Sequence, residues 1–472
     1  MALGRSLDNP GGRWSSACRQ NDIGEGMADL TGDDAPAAVV ATAAERPASA
    51  GLGVRIWGVV LLGLIATVSS IDRQCFSALL TPMKRELNVS DLQMGILSGS
   101  AATLVYTLVA LPLARLIDRS HRRNLLTGLV AVWSVATALC GFATGYLQLL
   151  FARFTVGAAE SGQLPASMSM VGDMFPARNR GTAVAMVLFG SAMGFGLGAI
   201  LAGALADRYG WRVAMMVVGG PGLLLAALFL FTVREPVRGA QDAPGHGQAR
   251  ESILQCLRRL SRIGTLYPFT VGWVLMGACN AGWLVWGQTF YVRVHHLSNA
   301  AAGAAFGVGV LGALPAAMVG GPLSDWLARR GARWRLYYCC AAISLAAPFQ
   351  VATLLVENVA ESSVLIFLYS LISGGVVAVG MATYVSFAPP TMRAFITAFM
   401  TLCSAVLGAS VAPALYGGLN DALAKTYGDD SLRYTLLLSP ALLVLAAVMF
   451  LVASRTVDHD VAAAALPPEP IA

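Results

Sequence analysis

Long apolar segments recur along the chain between residues 54 and 456, separated by short polar connections. Most are near 20 residues long, the length at which a helix crosses the hydrocarbon core of a bilayer. Twelve such segments can be counted, six on each side of a longer polar stretch. We therefore predict an all-α integral membrane protein with twelve transmembrane helices in two pseudo-symmetric six-helix bundles. Spans 1 to 12 are predicted at 56–80, 93–113, 125–142, 146–171, 182–205, 213–232, 267–290, 301–323, 337–356, 364–387, 395–416 and 434–453.

The polar stretches set the domain boundaries. Residues 1–53 are rich in Gly, Ala and Asp without periodicity, which predicts a disordered tail. This tail has no basic segment followed by an apolar run, so a cleaved signal peptide is not expected. Met27 is an alternative start to Met1. A linker is expected at 234–265, between bundles at 54–233 and 266–456. Its basic amphipathic piece, 252–262, is expected along the membrane surface. Residues 457–472 are predicted as a second polar tail.

Composition excludes several classes of protein. Of the 472 residues, 56% are hydrophobic and 12% are charged, whereas soluble domains carry about 25% charged residues. The net charge of +6 does not indicate nucleic-acid binding, because the arginines lie between apolar runs with no interleaved aromatic stripe. The eight cysteines show no metal-ligand spacing, and most fall in apolar segments. We expect no disulfide framework, no metal site and no cofactor.

The distribution of basic residues predicts the orientation. With the N-terminus in the cytoplasm, 23 of the 32 Lys and Arg residues fall in cytoplasmic connections and tails, and 7 fall on the opposite side. Cytoplasmic connections are enriched in Lys and Arg, so both termini are expected in the cytoplasm. The chain has 30 Arg and only 2 Lys, which favours GC-rich bacterial coding and hence a bacterial inner membrane.

Two connections carry the same pattern. Residues 114–123, after span 2, read ARLIDRSHRR, and residues 321–330, after span 8, read GPLSDWLARR. Each has a small residue four positions before an Asp and a pair of arginines four and five positions after it. The segments leading into spans 5 and 11, 176–180 and 389–393, are also alike. The chain is therefore interpreted as two related six-helix halves.

These features resemble the major facilitator superfamily. An acid-and-arginine loop after spans 2 and 8, in two six-span halves, is typical of it, and the resemblance covers nearly all of residues 55–455. Ala114 and His121 depart from the usual glycines of the first loop. Further segments are similar to the spinster-like lipid transporters and the related anion:cation symporters of organic acids. These segments are IDRQ at 71–74, RFTVGAAE at 153–160, YGWR at 209–212, REPVRG at 234–239 and PTMRA at 390–394.

The loop pattern is interpreted as a gate. Its aspartate would lie at the cytoplasmic end of a span, facing the amides of a neighbouring helix and an arginine from another helix. Such a lock holds one conformation and breaks in the other. The alternative is a solvated loop that only sets topology. The gating candidates are Asp118, Arg119, Arg122, Asp325 and Arg329.

Four charged residues lie well inside the predicted spans: Asp72 and Arg73 on span 1, and Arg153 and Glu160 on span 4. Ionisable groups in a membrane are costly and usually have a partner in the bundle interior. Asp72 and Arg73 are adjacent and so point in different directions, which predicts different partners. Separating Glu160 or Asp72 from its arginine would favour proton uptake, since burial disfavours a lone carboxylate. The alternative is a static ion-pair network.

The second half has no charge within its spans, so its candidates are polar or aromatic. Trp286 and Gln288 on span 7 are cavity candidates, because span 7 of the superfamily lines the cavity. Tyr106 on span 2 is similar to a cavity tyrosine of the spinster-like group. Asn280 on span 7 is a further polar candidate. The glycines at 190, 194 and 198 on span 5 indicate close helix packing, and in this superfamily such a stripe meets span 8.

Taken together, the sequence predicts a secondary active transporter that works by alternating access. A membrane enzyme or a non-transporting receptor would need a catalytic cluster or a large soluble domain, and the sequence offers neither. We expect a proton-coupled monomer that binds a small-molecule or lipid substrate and no nucleic acid. An amphipathic anion such as a lysophospholipid or sphingolipid is favoured, because its head could pair with Arg73 or Arg153 while its chain lies along the apolar second half. Small organic acid anions are the alternative.

Overall fold

The computed structural model of the protein describes residues 51–238, 253–388 and 392–464, and these residues are almost entirely helical. Among them, nine continuous helical stretches are long and apolar enough to cross a membrane. Two of the nine, Arg178–Thr232 and Phe395–Ala453, are 55 and 59 residues long, more than twice the length of one crossing.

Glycines with positive φ divide these two long stretches. Gly210, with φ of 81°, turns the chain between spans 5 and 6. Gly428, with φ of 58°, begins the short turn between spans 11 and 12. Positive φ is readily adopted only by residues without a side chain, which explains glycine at both turns. Span 4 consists of two consecutive helices, Tyr146–Glu160 and Gln163–Met174. The described chain therefore contains the twelve predicted spans.

Most observed spans extend a few residues beyond the predicted apolar segments. Polar first turns explain part of the extension, as at Ser90, whose side chain and Gln93 form a capping box at the start of span 2. The remaining spans are Leu52–Ala78 (span 1), Asp91–Arg119 (span 2), Arg122–Cys140 (span 3), Ala177–Thr232 (spans 5 and 6), Leu266–Arg293 (span 7), Asn299–Ala328 (span 8), Ala332–Leu355 (span 9), Val359–Ser386 (span 10), Arg393–Tyr427 (span 11, with a π-helical segment Ser404–Ser410) and Ser431–Ala453 (span 12).

In the described part of the chain, three short α-helices lie outside the spans: Leu80–Leu87, Ile253–Leu260 and Val457–Ala464. The predicted disordered tail lies outside the described residues except at 51–53, where span 1 already begins at Leu52. The predicted C-terminal tail is helical where it is described. Asp460 accepts hydrogen bonds from the backbone N–H and the hydroxyl of Thr265, at 2.7 and 2.6 Å, which fixes this helix at the entry to span 7.

The two halves meet mainly at one end of the molecule. The first part of span 8 packs along span 5, and the last part of span 11 packs on the start of span 2. This is the arginine-poor end, which carries the loops after the odd-numbered spans. At the arginine-rich end, the second part of span 8, Ala313–Ala328, makes few contacts with span 5. The space between the halves is therefore closed at the arginine-poor end and opens toward the arginine-rich end.

The expectation that the glycines at 190, 194 and 198 of span 5 meet span 8 is wrong. Gly190 and Gly194 pack on span 1, where an added Cβ would lie 2.3 Å from the carbonyl oxygens of Gly63 and Thr67. Span 8 instead approaches a different face of span 5. An added Cβ on Gly303 would lie 2.3 Å from the carbonyl oxygen of Ala199. Two small-residue faces thus let span 5 contact span 1 and span 8 simultaneously.

Candidate functional site

The four intramembrane charges form two separate ion pairs. Arg153 Nη1 lies 3.6 Å from Asp72 Oδ1, and Arg73 Nη1 lies 3.4 Å from Glu160 Oε2. Both pairs join span 1 to span 4. Asp72 and Arg73 therefore have different partners, in keeping with the different directions of adjacent residues on a helix.

The Asp72–Arg153 pair is sealed inside the first half. The two side chains are only 2% and 1% exposed. Thr137 of span 3 donates its hydroxyl to Asp72, and the Arg153 guanidinium lies over the Phe76 ring at 4.3 Å. A pair enclosed on all sides in this way fixes the packing of spans 1, 3 and 4.

The Arg73–Glu160 pair is open on one side. The Arg73 side chain is 35% exposed, whereas Glu160 is 3% exposed. The Ser69 hydroxyl donates a hydrogen bond of 3.0 Å to Glu160, and Arg73 also reaches Ser70 at 3.4 Å. A buried carboxylate is thus held by a cation that remains accessible to an anion from outside the pair.

Two aromatic side chains border the open pair. The half-buried phenol of Tyr106 on span 2 lies within electrostatic range of both Arg73 and Glu160. The Phe195 ring of span 5 has its centroid 5.8 Å from the Arg73 guanidinium. Tyr106, named from the sequence, therefore lies beside the intramembrane charges, and Phe195 is a neighbour that sequence reasoning did not identify.

Trp286 and Gln288, by contrast, are fully buried in this conformation. The Trp286 indole donates a hydrogen bond of 3.0 Å to the Pro413 carbonyl of span 11. Gln288 donates one of 3.4 Å to the Asn299 carbonyl at the start of span 8. Both side chains pack between helices of the second half in this conformation, so their assignment to the cavity stays a prediction.

Asn280 is the exposed polar residue on the middle of span 7. It lies one turn before Leu284, whose carbonyl accepts a hydrogen bond of 3.3 Å from Gln74 of span 1. Residues four apart share a helix face, so Asn280 faces the first half. An exposed amide on this inner face indicates a polar position on the second-half wall of the space between the halves.

In the described conformation, Asp118, Arg119, Asp325 and Arg329 do not hold the two halves together. Asp118, Arg119, Asp325 and Arg329 are all exposed. Within the described parts of the chain, neither the Asp118 nor the Asp325 carboxylate has an ion-pair partner within 4.0 Å. This follows from the separation of the halves at the arginine-rich end, where such locks would have to form.

Arg122 differs from the other gating candidates because it is buried within the first half. Its guanidinium binds Asp173 at the end of span 4, and Glu235 and the Pro236 carbonyl after span 6, the last two both at 2.8 Å. Arg122 therefore ties spans 3, 4 and 6 together, and its contacts are internal to one half.

An ion network at the arginine-poor end was missed from the sequence. The fully buried Asp91 carboxylate receives both Nη atoms of Arg293 at 2.8 Å, the Lys84 ammonium at 2.7 Å and the Asn420 amide at 2.6 Å. It links span 2 of the first half to spans 7 and 11 of the second. These residues lie at span ends, where charged side chains are common, so no sequence pattern beyond the acid at the first turn of span 2 indicates the network.

Two apolar cavities lie away from the charges. One of about 750 Å³ lies between spans 3 and 4, and one of about 490 Å³ lies between spans 2 and 11. No charged side chain lines either of them. Their volume therefore does not mark the position of the intramembrane ion pairs.

Two six-helix halves, closed at one end around buried charges, define a membrane transporter of the two-bundle class. The profile described as Major Facilitator Superfamily matches residues 62–413. The chain belongs to the major facilitator superfamily and transports a substrate across a bilayer, with no enzymatic role.

Similar proteins include an efflux pump and two transporters named for chemically different substrates. An MFS-type efflux pump of Mycolicibacterium smegmatis is 27% identical, over 86% of this chain and 94% of that protein. The sphingosine-1-phosphate transporter SPNS2 of Danio rerio is 26% identical, over 81% of this chain and 80% of that protein. A probable galactarate/D-glucarate transporter of Escherichia coli, GudP, is 26% identical, over 58% and 67%.

A similar fold has been solved by crystallography. It is a bacterial homolog to the human lysosomal transporter spinster, in an inward-facing and unoccupied conformation. The TM-score is 0.79 at 22% sequence identity, and the match covers 87% of this chain and 99% of that chain. This likeness confirms the predicted fold class.

Proposed function

We propose that the protein is a proton-coupled secondary transporter of an amphipathic anion, working by alternating access as a monomer in a bacterial inner membrane. Both termini lie in the cytoplasm in this proposal, because the arginine-rich connections mark the cytoplasmic side. The described conformation, open toward that side, is then inward-facing. The arginine-poor end is the outer end.

The observation that carries the proposal is the unequal exposure of Arg73 and Glu160. An anion that enters from the cytoplasmic side can reach the exposed Arg73 guanidinium and compete with Glu160 for it. A buried carboxylate that loses its cation takes up a proton more readily. Substrate binding and proton binding are thereby linked through one arginine, without a cofactor. The sealed Asp72–Arg153 pair holds span 1 in position.

The amphipathic substrate follows from the distribution of polarity. All four intramembrane charges lie on spans 1 and 4, while the second half contributes mainly apolar and aromatic side chains. A substrate with a charged head at Arg73 and an apolar chain along the second half would meet groups of matching polarity in both halves. Each buried methylene contributes about 0.8 kcal/mol to its binding. The similarity to SPNS2 supports the same class.

A small organic acid is the second candidate. The exposed Asn280 amide gives the second-half wall a hydrogen-bonding group that an acyl chain would leave unpaired. A polyhydroxylated acid could use it while its carboxylate binds Arg73. The similarity to GudP supports this reading.

Competition in proteoliposomes separates the two candidates. The purified protein is reconstituted with an imposed proton gradient, and uptake is measured for a single-chain phospholipid series of fixed head group and for galactarate. If the substrate is an amphipathic anion, the affinity of the phospholipids should rise with chain length. Affinity independent of chain length, together with galactarate uptake, would establish the small-acid candidate instead.

A further inference from the structure

A five-residue pattern, Gly-x-Leu-x-Asp, occurs twice in corresponding places of the two halves. Residues 203–207, near the end of span 5, read GALAD, and residues 417–421, near the end of span 11, read GGLND. Both copies lie at the outer end of the molecule, on helices that border the opposite half.

The first copy docks on the start of span 8. Asp207 Oδ1 accepts hydrogen bonds from the backbone N–H and the side-chain amide of Asn299, at 3.0 and 2.8 Å. Asp207 Oδ2 accepts one from the Ala300 N–H at 2.7 Å. The absence of a side chain at Gly203 permits the contact, since an added Cβ would lie 2.0 Å from the Asn299 carbonyl oxygen.

The second copy docks on the start of span 2 in the same way. The two oxygens of Asp421 accept the backbone N–H groups of Asp91 and Leu92, at 2.9 and 2.8 Å. An added Cβ on Gly417 would lie 2.2 Å from the Asp91 carbonyl oxygen. In both copies an aspartate accepts hydrogen bonds from the first two backbone N–H groups of the opposing helix. The glycine one turn earlier lets the two backbones come into contact.

Each docking contact crosses between the halves, one on the span 5–span 8 seam and one on the span 11–span 2 seam. The first amides of a helix have no partner within it, and a carboxylate satisfies them with a favourable charge–dipole interaction. These hydrogen bonds exist only while the outer ends are together. Alternating access requires the outer ends to part, so both contacts must break in the outward-facing state.

We propose that the two Gly-x-Leu-x-Asp segments form a pair of coupled outer locks that stabilise the inward-facing state and open together. The proposal rests on alternating access but not on the identity of the substrate or on proton coupling. The buried Asp91–Arg293 ion pair reinforces one seam. Because the halves move as bodies, loss of either lock weakens the closure of both seams.

Hydrogen–deuterium exchange of the purified full-length protein in lipid nanodiscs tests the coupling. In Asp207→Asn, exchange should rise about fivefold at the start of span 8 and also at the start of span 2, the effect of losing one charge-assisted interaction. The cytoplasmic end of span 2, residues 111–119, should exchange more slowly as that end closes. Asp421→Asn should give the same pattern, and Asp429→Asn, an exposed acid of the same outer face, should change nothing.

A glycine pair provides an independent test if the aspartate variants unfold. Gly417→Ala places a methyl group against the Asp91 backbone, whereas Gly418→Ala meets only the Leu92 side chain, at 3.5 Å. Only the first should raise exchange at both outer seams. Faster exchange confined to the altered seam, or no change at either seam, would overturn the coupled lock. Neither readout requires substrate or a proton gradient, so failure here is distinguishable from failure of the proposed transport function.

Discussion

Arg73 and Glu160 form an intramembrane ion pair whose members face different environments. The distance from Nη1 to Oε2 is 3.4 Å, yet 35% of the arginine side chain is exposed against 3% of the glutamate. The neighbouring Asp72–Arg153 pair is enclosed on both sides. Spans 1 and 4 therefore carry one pair suited to exchange of partners and one suited to holding the helices together, and substitutions should separate the two roles.

Asp72→Asn should lower stability more than Glu160→Gln. Removing Asp72 leaves Arg153 buried without a counter-charge, which costs roughly 3–5 kcal/mol. Removing Glu160 leaves Arg73 partly solvated, which costs about 1 kcal/mol or less. Thermal unfolding of the purified variants measures the difference. Adding Arg153→Met to Asp72→Asn should recover part of the loss, and equal stability of the two single variants would contradict the assignment.

Asp118→Asn and Asp325→Asn should favour the inward-facing state. Both carboxylates are exposed in this conformation, so their loss leaves it unaffected, whereas a lock formed when the cytoplasmic ends close would be weakened by about 1 kcal/mol. Hydrogen–deuterium exchange should therefore rise at the cytoplasmic ends of spans 2 and 8 without a change in melting temperature. Glu361→Gln, at the outer end of span 10, serves as the control. Unchanged exchange in both aspartate variants would leave these loops with a topological role only.

Glu86 should contribute a pH-dependent part of the stability. Hydrogen bonds from the Trp211 indole, at 2.5 Å, and from Arg212, at 2.8 Å, lower the pKa of this carboxyl below its ordinary value of 4.5. The contribution is therefore present above pH 4.5 and is lost as the pH falls through the lowered pKa. The melting temperature of the wild type should exceed that of Glu86→Gln near neutral pH, and the difference should shrink in acid. A difference that persists unchanged at low pH would contradict this.

Much of the fold could be predicted from apolar periodicity alone. The twelve spans and the charged residues of spans 1 and 4 follow from patterns within single segments, and the expected duplication follows from comparing the loops at 114–123 and 321–330. The structural role of the Tyr209–Arg212 segment is visible only in the structure. The positive φ of Gly210 turns the chain so that Trp211 and Arg212 reach Glu86. Such a contact joins residues 125 positions apart, which no local pattern records.

The rotation of each helix about its own axis accounts for other differences between the sequence predictions and the structure. Sequence spacing identifies a small-residue face but not the neighbour that occupies it, and the Gly190–Gly194 face, predicted to meet span 8, packs on span 1. The same limit applies to the four charges, whose pairing depends on how spans 1 and 4 are turned toward each other. The cavity role of Trp286 rests on the resemblance of span 7 to that of the superfamily and stays a prediction; in this conformation its indole donates a hydrogen bond to the Pro413 carbonyl.

In the proposed mechanism, Glu160 links proton binding to substrate binding through Arg73. Proteoliposomes containing wild type or Glu160→Gln are loaded with a pH-sensitive dye, and substrate uptake and proton movement are recorded together. A glutamine at 160 keeps the size of the side chain but cannot exchange a proton. Glu361→Gln, on span 10, controls for loss of an acid elsewhere.

The most direct measurement is accumulation of substrate under an imposed proton gradient by Glu160→Gln, compared with exchange of substrate without a gradient. Glu160→Gln should exchange substrate but should neither accumulate it nor move protons with it. Gradient-driven accumulation at the wild-type level, with protons still moving, would show that Glu160 does not link the two.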